Sequence, residues 1–200
     1  MSFELYLALL SFCLVTTITP GPNNMMLLSS GLSFGVRRSL PHMAGVASGV
    51  IFMALVVGIG MAWVAQYLPV FHRVLHIVST VYLLWLAWKI ARSPGPGEGN
   101  SRAQPMRFIE GLAFQWVNPK AWAMVLGAVS SFTRPDHLMA DLPYVLAGFA
   151  LVGPPCNLLW IAAGSALKAH LRDQRKVRAV NIGLAGLLVA SILPGLGSLA

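Results

Sequence analysis

The chain alternates between long apolar segments and short connections that carry most of its charge. A helix needs about 20 consecutive apolar residues to cross the hydrocarbon core of a bilayer. Six segments come close to that length or exceed it. The first is too long for one straight crossing. The sequence therefore predicts six transmembrane helices, at residues 4–33, 43–67, 74–91, 108–131, 144–166 and 179–198.

Composition agrees with a membrane location. Of the 200 residues, 56% are hydrophobic and only 10% are charged, whereas soluble domains contain roughly 25% charged residues. A soluble fold of this length could not bury so much apolar surface. We therefore predict an all-α integral membrane protein, with residues 1–200 forming a single transmembrane transporter domain.

The distribution of basic residues predicts the orientation of the chain. Eleven Lys and Arg side chains lie in alternate connections, and the opposite connections contain only Arg73 and Arg134. Because cytoplasmic loops collect Lys and Arg, both termini are expected outside the cytoplasm and the 92–107 connection inside it. The basic run at 168–179 is expected to contact anionic lipid. The formal net charge of +8 does not indicate nucleic-acid binding, since no aromatic and basic platform accompanies it.

A Gly- and Pro-rich connection divides the chain into two similar parts. Residues 92–107 include SPGPGEGNSRAQP, which cannot pack a core. They separate a first three-helix half, 1–91, from a second, 108–200. An odd number of crossings per half places the halves in opposite orientations, the arrangement of inverted-repeat transporters.

Each half begins with an interrupted helix. The first contains TITPGPNN, where two prolines remove backbone donors and Asn23 or Asn24 can cap the helix that resumes at Met25. The fourth predicted helix contains WVNPKAW, with Asn118 as N-cap and Pro119 at the first helical position. A pair of ordinary proline kinks is the alternative. Interruptions at mid-depth in both halves instead favour a binding site at the membrane midplane.

The chemistry of these interruptions favours a carboxylate ligand. A resumed helix presents free N–H groups and the positive end of its dipole. Lys120 adds a full charge deep in a predicted span, where an ionisable residue is a functional candidate; snorkelling is the alternative. Asn157 is a weaker candidate, since an interhelical hydrogen bond also explains it. The predicted substrate-binding residues are Pro20, Gly21, Pro22, Asn23, Asn24, Asn118, Pro119, Lys120 and Asn157.

These same residues carry a family resemblance. TPGPNN followed by LSSGLSFGVRRSLPHMAGVASG, then YLLWLAWKIARSP and FIEGLAFQWVNPKAW, resemble the LysE/RhtB family of amino-acid exporters, and within it the cysteine/O-acetylserine exporter group. The resemblance implies a bacterial inner-membrane protein, with its outward-facing termini in the periplasm, that exports a small amino acid or derivative. It also implies coupling to an ion gradient and a homodimer. The second predicted helix contains no acid, which argues against a cationic cargo.

The energy source is expected to be a gradient, because the chain contains no P-loop motif. Glu110, at the cytoplasmic start of the fourth predicted helix, is the candidate for proton coupling; a first-turn carboxylate favoured by the helix dipole is the alternative. We expect no cofactor, no bound metal and no catalytic residues. A heavy-metal cation exporter and a membrane-embedded enzyme are the competing functions, although the sequence has neither clustered soft ligands nor paired acids within its apolar segments.

Overall fold

A computed structural model describes residues 1–91, 104–170 and 174–190. Within these ranges the chain is helical and contains no strand. Most of the predicted 92–107 connection and the end of the predicted sixth helix lie outside the described residues. The described helices are α1 (Phe3–Ile18), α2 (Pro22–Phe34), α3 (Val36–Ala91), α4 (Phe108–Phe114), α5 (Pro119–Phe132), α6 (Leu138–His170) and α7 (Gln174–Ala190), with 3₁₀ turns at Gln115–Val117 and Pro135–His137.

The predicted interruption of the first helix is present. Helix α1 ends at Ile18, the chain is extended at Thr19, and α2 resumes at Pro22 with Gly21 as its N-cap. The axes of α1 and α2 differ by 58°. Proline at the first position suits the resumed helix, because its missing N–H would have no intrahelical partner there. At its far end, α2 stops at Gly35, whose φ of 78° is accessible to glycine at little cost.

The predicted interruption of the fourth helix is also present. Helix α4 gives way to the 3₁₀ turn Gln115–Val117, and α5 begins at Pro119. Asn118 is extended and caps α5, since its Oδ1 accepts a hydrogen bond of 3.1 Å from the Lys120 amide. The N-cap assigned to Asn118 from the sequence is therefore confirmed.

Helix α3 differs from the sequence prediction of two helices at 43–67 and 74–91. Its backbone is helical without a break from Val36 to Ala91. The stretch between the two predicted helices contains one proline and no glycine, so local sequence does not force a turn there. At 1.5 Å per residue, its 56 residues extend about 84 Å, more than twice the hydrocarbon thickness.

Three parts of the described chain qualify as membrane crossings by length and composition. Val36–Gly60 of α3 and Leu138–Leu167 of α6 each do so alone, and the bent α1–α2 pair is a third. The main apolar core lies between α1, α3, α5 and α6. Many large apolar side chains outside that core are exposed, among them Leu151 and Leu159 of α6, as expected where lipid replaces water.

Glycine contacts bring the two halves of the chain together. Helix α6 packs along α1 and α2, whereas α3 packs along α4 and α5. A Cβ atom added at Gly164 would lie 2.0 Å from the Leu28 carbonyl oxygen, and one at Gly31 would lie 2.1 Å from that of Ile161. Gly45 similarly approaches the Phe108 carbonyl. Small residues permit such backbone contacts between helices, and here they join helices of one chain.

An ion pair fixes the connection between α5 and α6. The Arg134 guanidinium donates to both carboxylate oxygens of Asp141, at 2.8 and 3.0 Å, and the Arg134 amide adds a third hydrogen bond of 3.1 Å. This fork geometry is the favourable one for arginine and a carboxylate. The start of α6 is thereby held against the turn that leads into it.

Candidate functional site

The two interruptions lie side by side and border a partly open cavity. One part of the wall is polar and the other apolar. The polar side chains are Thr16, Thr17, Asn23, Asn24, Asn118, Lys120 and Asn157; the remaining wall is Gly21, Val46, Ala47, Val50, Met124, Phe149 and Gly153.

The predicted residues divide into two groups. Six of the nine predicted binding residues line the cavity: Gly21, Asn23, Asn24, Asn118, Lys120 and Asn157. The three prolines instead shape the backbone beside it. Pro22 and Pro119 each occupy the first position of a resumed helix, and Pro20 offers its carbonyl to Lys120 at 3.4 Å.

Lys120 extends from the start of α5 to the end of α1. Its ammonium donates to the carbonyl and the hydroxyl of Thr19, the latter at 3.0 Å, in addition to the Pro20 carbonyl. These acceptors belong to the negative end of the α1 dipole. A Cβ at Gly21 would lie 2.6 Å from Lys120 Cδ, so a larger residue there would displace this side chain. The charge therefore faces the other interruption.

A second contact joins the interruptions through two amides. Asn23 Nδ2 donates to Gln115 Oε1 at 2.9 Å, and Gln115 Nε2 donates back to Asn23 Oδ1 at 3.1 Å. Gln115 Nε2 also donates to the Gly111 carbonyl at 2.9 Å. Because Gln115 is fully buried, this reciprocal pair satisfies amide groups that would be costly to leave unpaired.

The two contacts correspond to each other by position. Lys120 is the second residue of α5 and bonds to Thr19, the residue that follows α1. Asn23 is the second residue of α2 and bonds to Gln115, the residue that follows α4. Each resumed helix thus reaches the end of the first helical segment of the other half.

The two resumed helices differ at their N-termini. Asn118 caps α5, but the N-cap of α2 is Gly21, which has no side chain to offer. The prediction that Asn23 or Asn24 caps α2 is wrong, because Pro22 already occupies the first position and both asparagines lie inside the helix. Asn24 instead donates to the carbonyls of Thr17 and Thr19, at 2.8 and 2.7 Å.

The α2 N-terminus is consequently open to the cavity. The first intrahelical hydrogen bond is donated by Met25 to the Gly21 carbonyl, at 3.0 Å. The amides of Asn23 and Asn24 precede it and receive no side-chain cap. The Lys120 ammonium lies 3.0 Å from the place of a Cβ on Gly21. A full positive charge and a positive helix end therefore meet at one point, which suits an anionic group.

Family comparison agrees with this geometry. The family model described as LysE type translocator matches residues 14–193. The chain belongs to the LysE family. The family resemblance predicted from the sequence is therefore confirmed, and the protein is a multi-pass membrane translocator rather than an enzyme.

Curated relatives cover almost the whole chain. The cysteine/O-acetylserine efflux protein of Escherichia coli (strain K12) is 36% identical over 191 residues, 94% of this chain and 96% of its own. The Salmonella typhimurium protein of that name is 36% identical over 90% of this chain and 91% of its own. The Klebsiella pneumoniae protein is 35% identical, over 94% and 95%. No solved structure matches the chain.

Sequence analysis missed several residues of the translocator's site. Gln115 and Thr17 are polar residues within apolar segments, a signal that could have identified them. Phe149 and Met124 also line the cavity, but nothing in their local sequence distinguishes them from other apolar residues. Their position depends on how α5 and α6 pack.

Glu110 lies apart from the cavity wall. It is exposed in the first turn of α4, and its Oε2 accepts a hydrogen bond of 2.7 Å from the Arg107 amide. This contact matches the alternative of a first-turn carboxylate at a helix N-terminus. Its part in proton coupling stays a prediction.

Proposed function

We propose that this translocator exports a small amino acid or amino-acid derivative with an uncharged side chain from the cytoplasm, driven by an ion gradient. The observation that carries the proposal is the meeting of the Lys120 ammonium with the uncapped N-terminus of α2 at the cavity. The relatives named cysteine/O-acetylserine efflux proteins support the same class of substrate.

The substrate carboxylate would bind between Lys120 and the start of α2. The amides of Asn23 and Asn24 point along the helix axis toward this position, and charge-assisted hydrogen bonds are stronger than neutral ones. A lysine in the membrane interior is costly, and the carbonyl and hydroxyl of Thr19 satisfy it here. A carboxylate would offer the ammonium a full opposite charge in place of those partial charges.

The rest of the cavity would accept the ammonium and the side chain of the substrate. Asn157 and Thr17 supply amide and hydroxyl oxygens, and the Thr17 hydroxyl is buried without a partner among the described residues. Met124 and Phe149 form an apolar wall that suits a short neutral side chain. No acid is among the described lining residues, so a cationic side chain would lack a counter-charge.

We further propose that the halves form a 3+3 inverted repeat. The 43–67 and 74–91 stretches would then be separate crossings, which requires α3, continuous in this structure, to turn between them. The positional correspondence of the Lys120 and Asn23 contacts supports this arrangement. Segment lengths support it too. The 16 residues of α1 span about 24 Å, and α4 with its 3₁₀ turn about 16 Å. Together they match a membrane of about 40–45 Å, so the interruptions would meet at one depth.

The orientation proposed from the basic residues places both termini in the periplasm, and it has a direct test. A phosphatase that is active only in the periplasm, inserted at Pro135–His137, is expected to be active. The same enzyme inserted at residue 104 is expected to be inactive. The reverse pattern would contradict the orientation.

We also propose that the protein forms the homodimer that the family resemblance implies, and crosslinking in native membranes tests this.

Export and its chemistry are tested together. Overproduction is expected to enrich the medium in cysteine, O-acetylserine or a similar neutral amino acid. In proteoliposomes, exchange of that amino acid should be inhibited by analogues with a free carboxylate. The matching methyl ester and the decarboxylated amine are expected to inhibit at least tenfold more weakly, because each charge-assisted hydrogen bond contributes about 1.5–3 kcal/mol.

Two outcomes would contradict this proposal in different ways. Equal inhibition by the acid and the decarboxylated amine would exclude the carboxylate site but leave export standing. Absence of any amino acid from the medium and of exchange in proteoliposomes, with the protein present in the membrane, would exclude the exporter function itself.

A further inference from the structure

His42 is a buried imidazole without a hydrogen-bond partner. It lies on α3 and is 1% exposed, and neither ring nitrogen has a partner among the described residues. A neutral imidazole has one donor and one acceptor, and each buried group left unpaired costs about 1–3 kcal/mol. Buried polar groups are normally paired, so both ring nitrogens are available for a proton or a water molecule.

His42 lies between the exposed first turn of α4 and a residue of the cavity wall. Helix α4 packs against it through Gly111, where a Cβ would lie 3.3 Å from His42 Cδ2. The preceding residue, Glu110, is exposed in the first turn of α4. Val46 follows one helical turn later on the same face of α3 and lines the cavity.

Few other charges are near the ring. Helix α2 contains no titratable side chain, and α6 reaches this stretch of α3 through the apolar contact of Ile161 with Val46. On α3 itself, Arg38 lies one turn earlier and is exposed, with its guanidinium 5.5 Å from the centre of the Phe34 ring. Arg107, at the start of α4, is also exposed.

We propose that His42 binds the proton whose inward movement drives export, and that Glu110 exchanges this proton with the cytoplasm. The inference depends on the proposed exporter function and adds the coupling group to it. A proton from cavity water binds a nitrogen of neutral His42 and forms the imidazolium. The imidazolium then transfers the proton to the Glu110 carboxylate, which releases it to cytoplasmic water. The ring and the carboxylate return to their starting states, and no other bond changes.

The test separates gradient-driven transport from exchange. Purified protein in proteoliposomes is assayed for transport of the exported amino acid driven by an imposed pH gradient, and for substrate counterflow without a gradient. His42→Gln is expected to lower gradient-driven transport at least tenfold while counterflow stays within twofold of wild type. Glu110→Gln is expected to show the same split. His137→Gln, which changes an exposed histidine outside this cluster, serves as the matched control and should behave as wild type.

Each other outcome would overturn the assignment. Gradient-driven transport of His42→Gln at the wild-type rate would exclude His42 as the proton site. Equal loss of both activities, in His42→Gln and also in His42→Asn, would show that the ring is needed for structure. A wild-type protein that exchanges substrate but ignores the pH gradient would remove the proton role and leave the exporter intact, whereas a wild type without counterflow would remove the exporter function.

Discussion

Lys120→Met is expected to abolish export while the protein remains in the membrane. Methionine keeps much of the length of the lysine side chain, so the packing beside Gly21 is retained. The charge is lost together with its hydrogen bonds to Thr19 and Pro20. Two charge-assisted hydrogen bonds to the substrate carboxylate, at about 1.5–3 kcal/mol each, correspond to a loss of about 100-fold or more. The initial rate of substrate exchange in proteoliposomes measures this, with protein content fixed by immunoblot.

Two control variants separate the effect of losing a positive charge from the effect of losing it at position 120. Lys176→Met removes an exposed lysine of α7 and should leave exchange unchanged. Lys120→Arg keeps the charge but places a wider group against Gly21, where space is already limited, and should retain part of the activity. Exchange by Lys120→Met at the wild-type rate would contradict the carboxylate site.

Gly164→Ala is expected to destabilise the fold by about 1–3 kcal/mol, the usual cost of overpacking. The new methyl group would lie 2.0 Å from the Leu28 carbonyl oxygen. A backbone atom cannot rotate aside as a side chain can, so α2 and α6 must separate. Gly31→Ala should destabilise the fold to a similar extent, because it adds a methyl group on the α2 side of the same contact with α6. The temperature of thermal unfolding in detergent measures both effects.

Gly183→Ala is the matched control for these glycines. Gly183 lies in α7, and a Cβ there has no described neighbour within 4 Å. Alanine is favoured over glycine in a helix by roughly 0.5–1 kcal/mol, so this variant should unfold at the wild-type temperature or above it. If Gly164→Ala also unfolds at or above that temperature, α2 and α6 do not cross as closely as described.

Sequence alone predicted the features that depend on local chemistry. Proline lacks a backbone donor wherever it occurs, yet the prolines of α6 lie inside a continuous helix. The interruptions at Pro22 and Pro119 could be located because an asparagine stands directly beside each proline. The capping role of Asn118 followed from the proline after it. The capping role predicted for Asn24 was wrong, because its side chain donates to carbonyls at the end of α1. Those bonds depend on the direction that the chain takes after the interruption, which local sequence does not determine.

The remaining features depend on contacts between distant residues. Gln115 pairs with Asn23 across 92 positions, and Phe149 reaches the cavity from α6. No local pattern contains either contact. The continuous backbone of α3 is a different case. The sequence predicted a turn there because one apolar helix of that length would exceed the thickness of a bilayer, but the backbone is helical from Val36 to Ala91.

The Lys120 and Asn23 contacts between the interruptions differ in strength, and this difference has a consequence for substrate binding. Lys120 holds backbone carbonyls with a full charge, whereas Asn23 and Gln115 hold each other as neutral amides, and a charged hydrogen bond in a dry interior is the stronger. A carboxylate can displace those carbonyls from the ammonium, but a water molecule cannot do so as readily. A carboxylate bound at Lys120 would therefore release the contact with Thr19 and leave the Asn23–Gln115 pair in place.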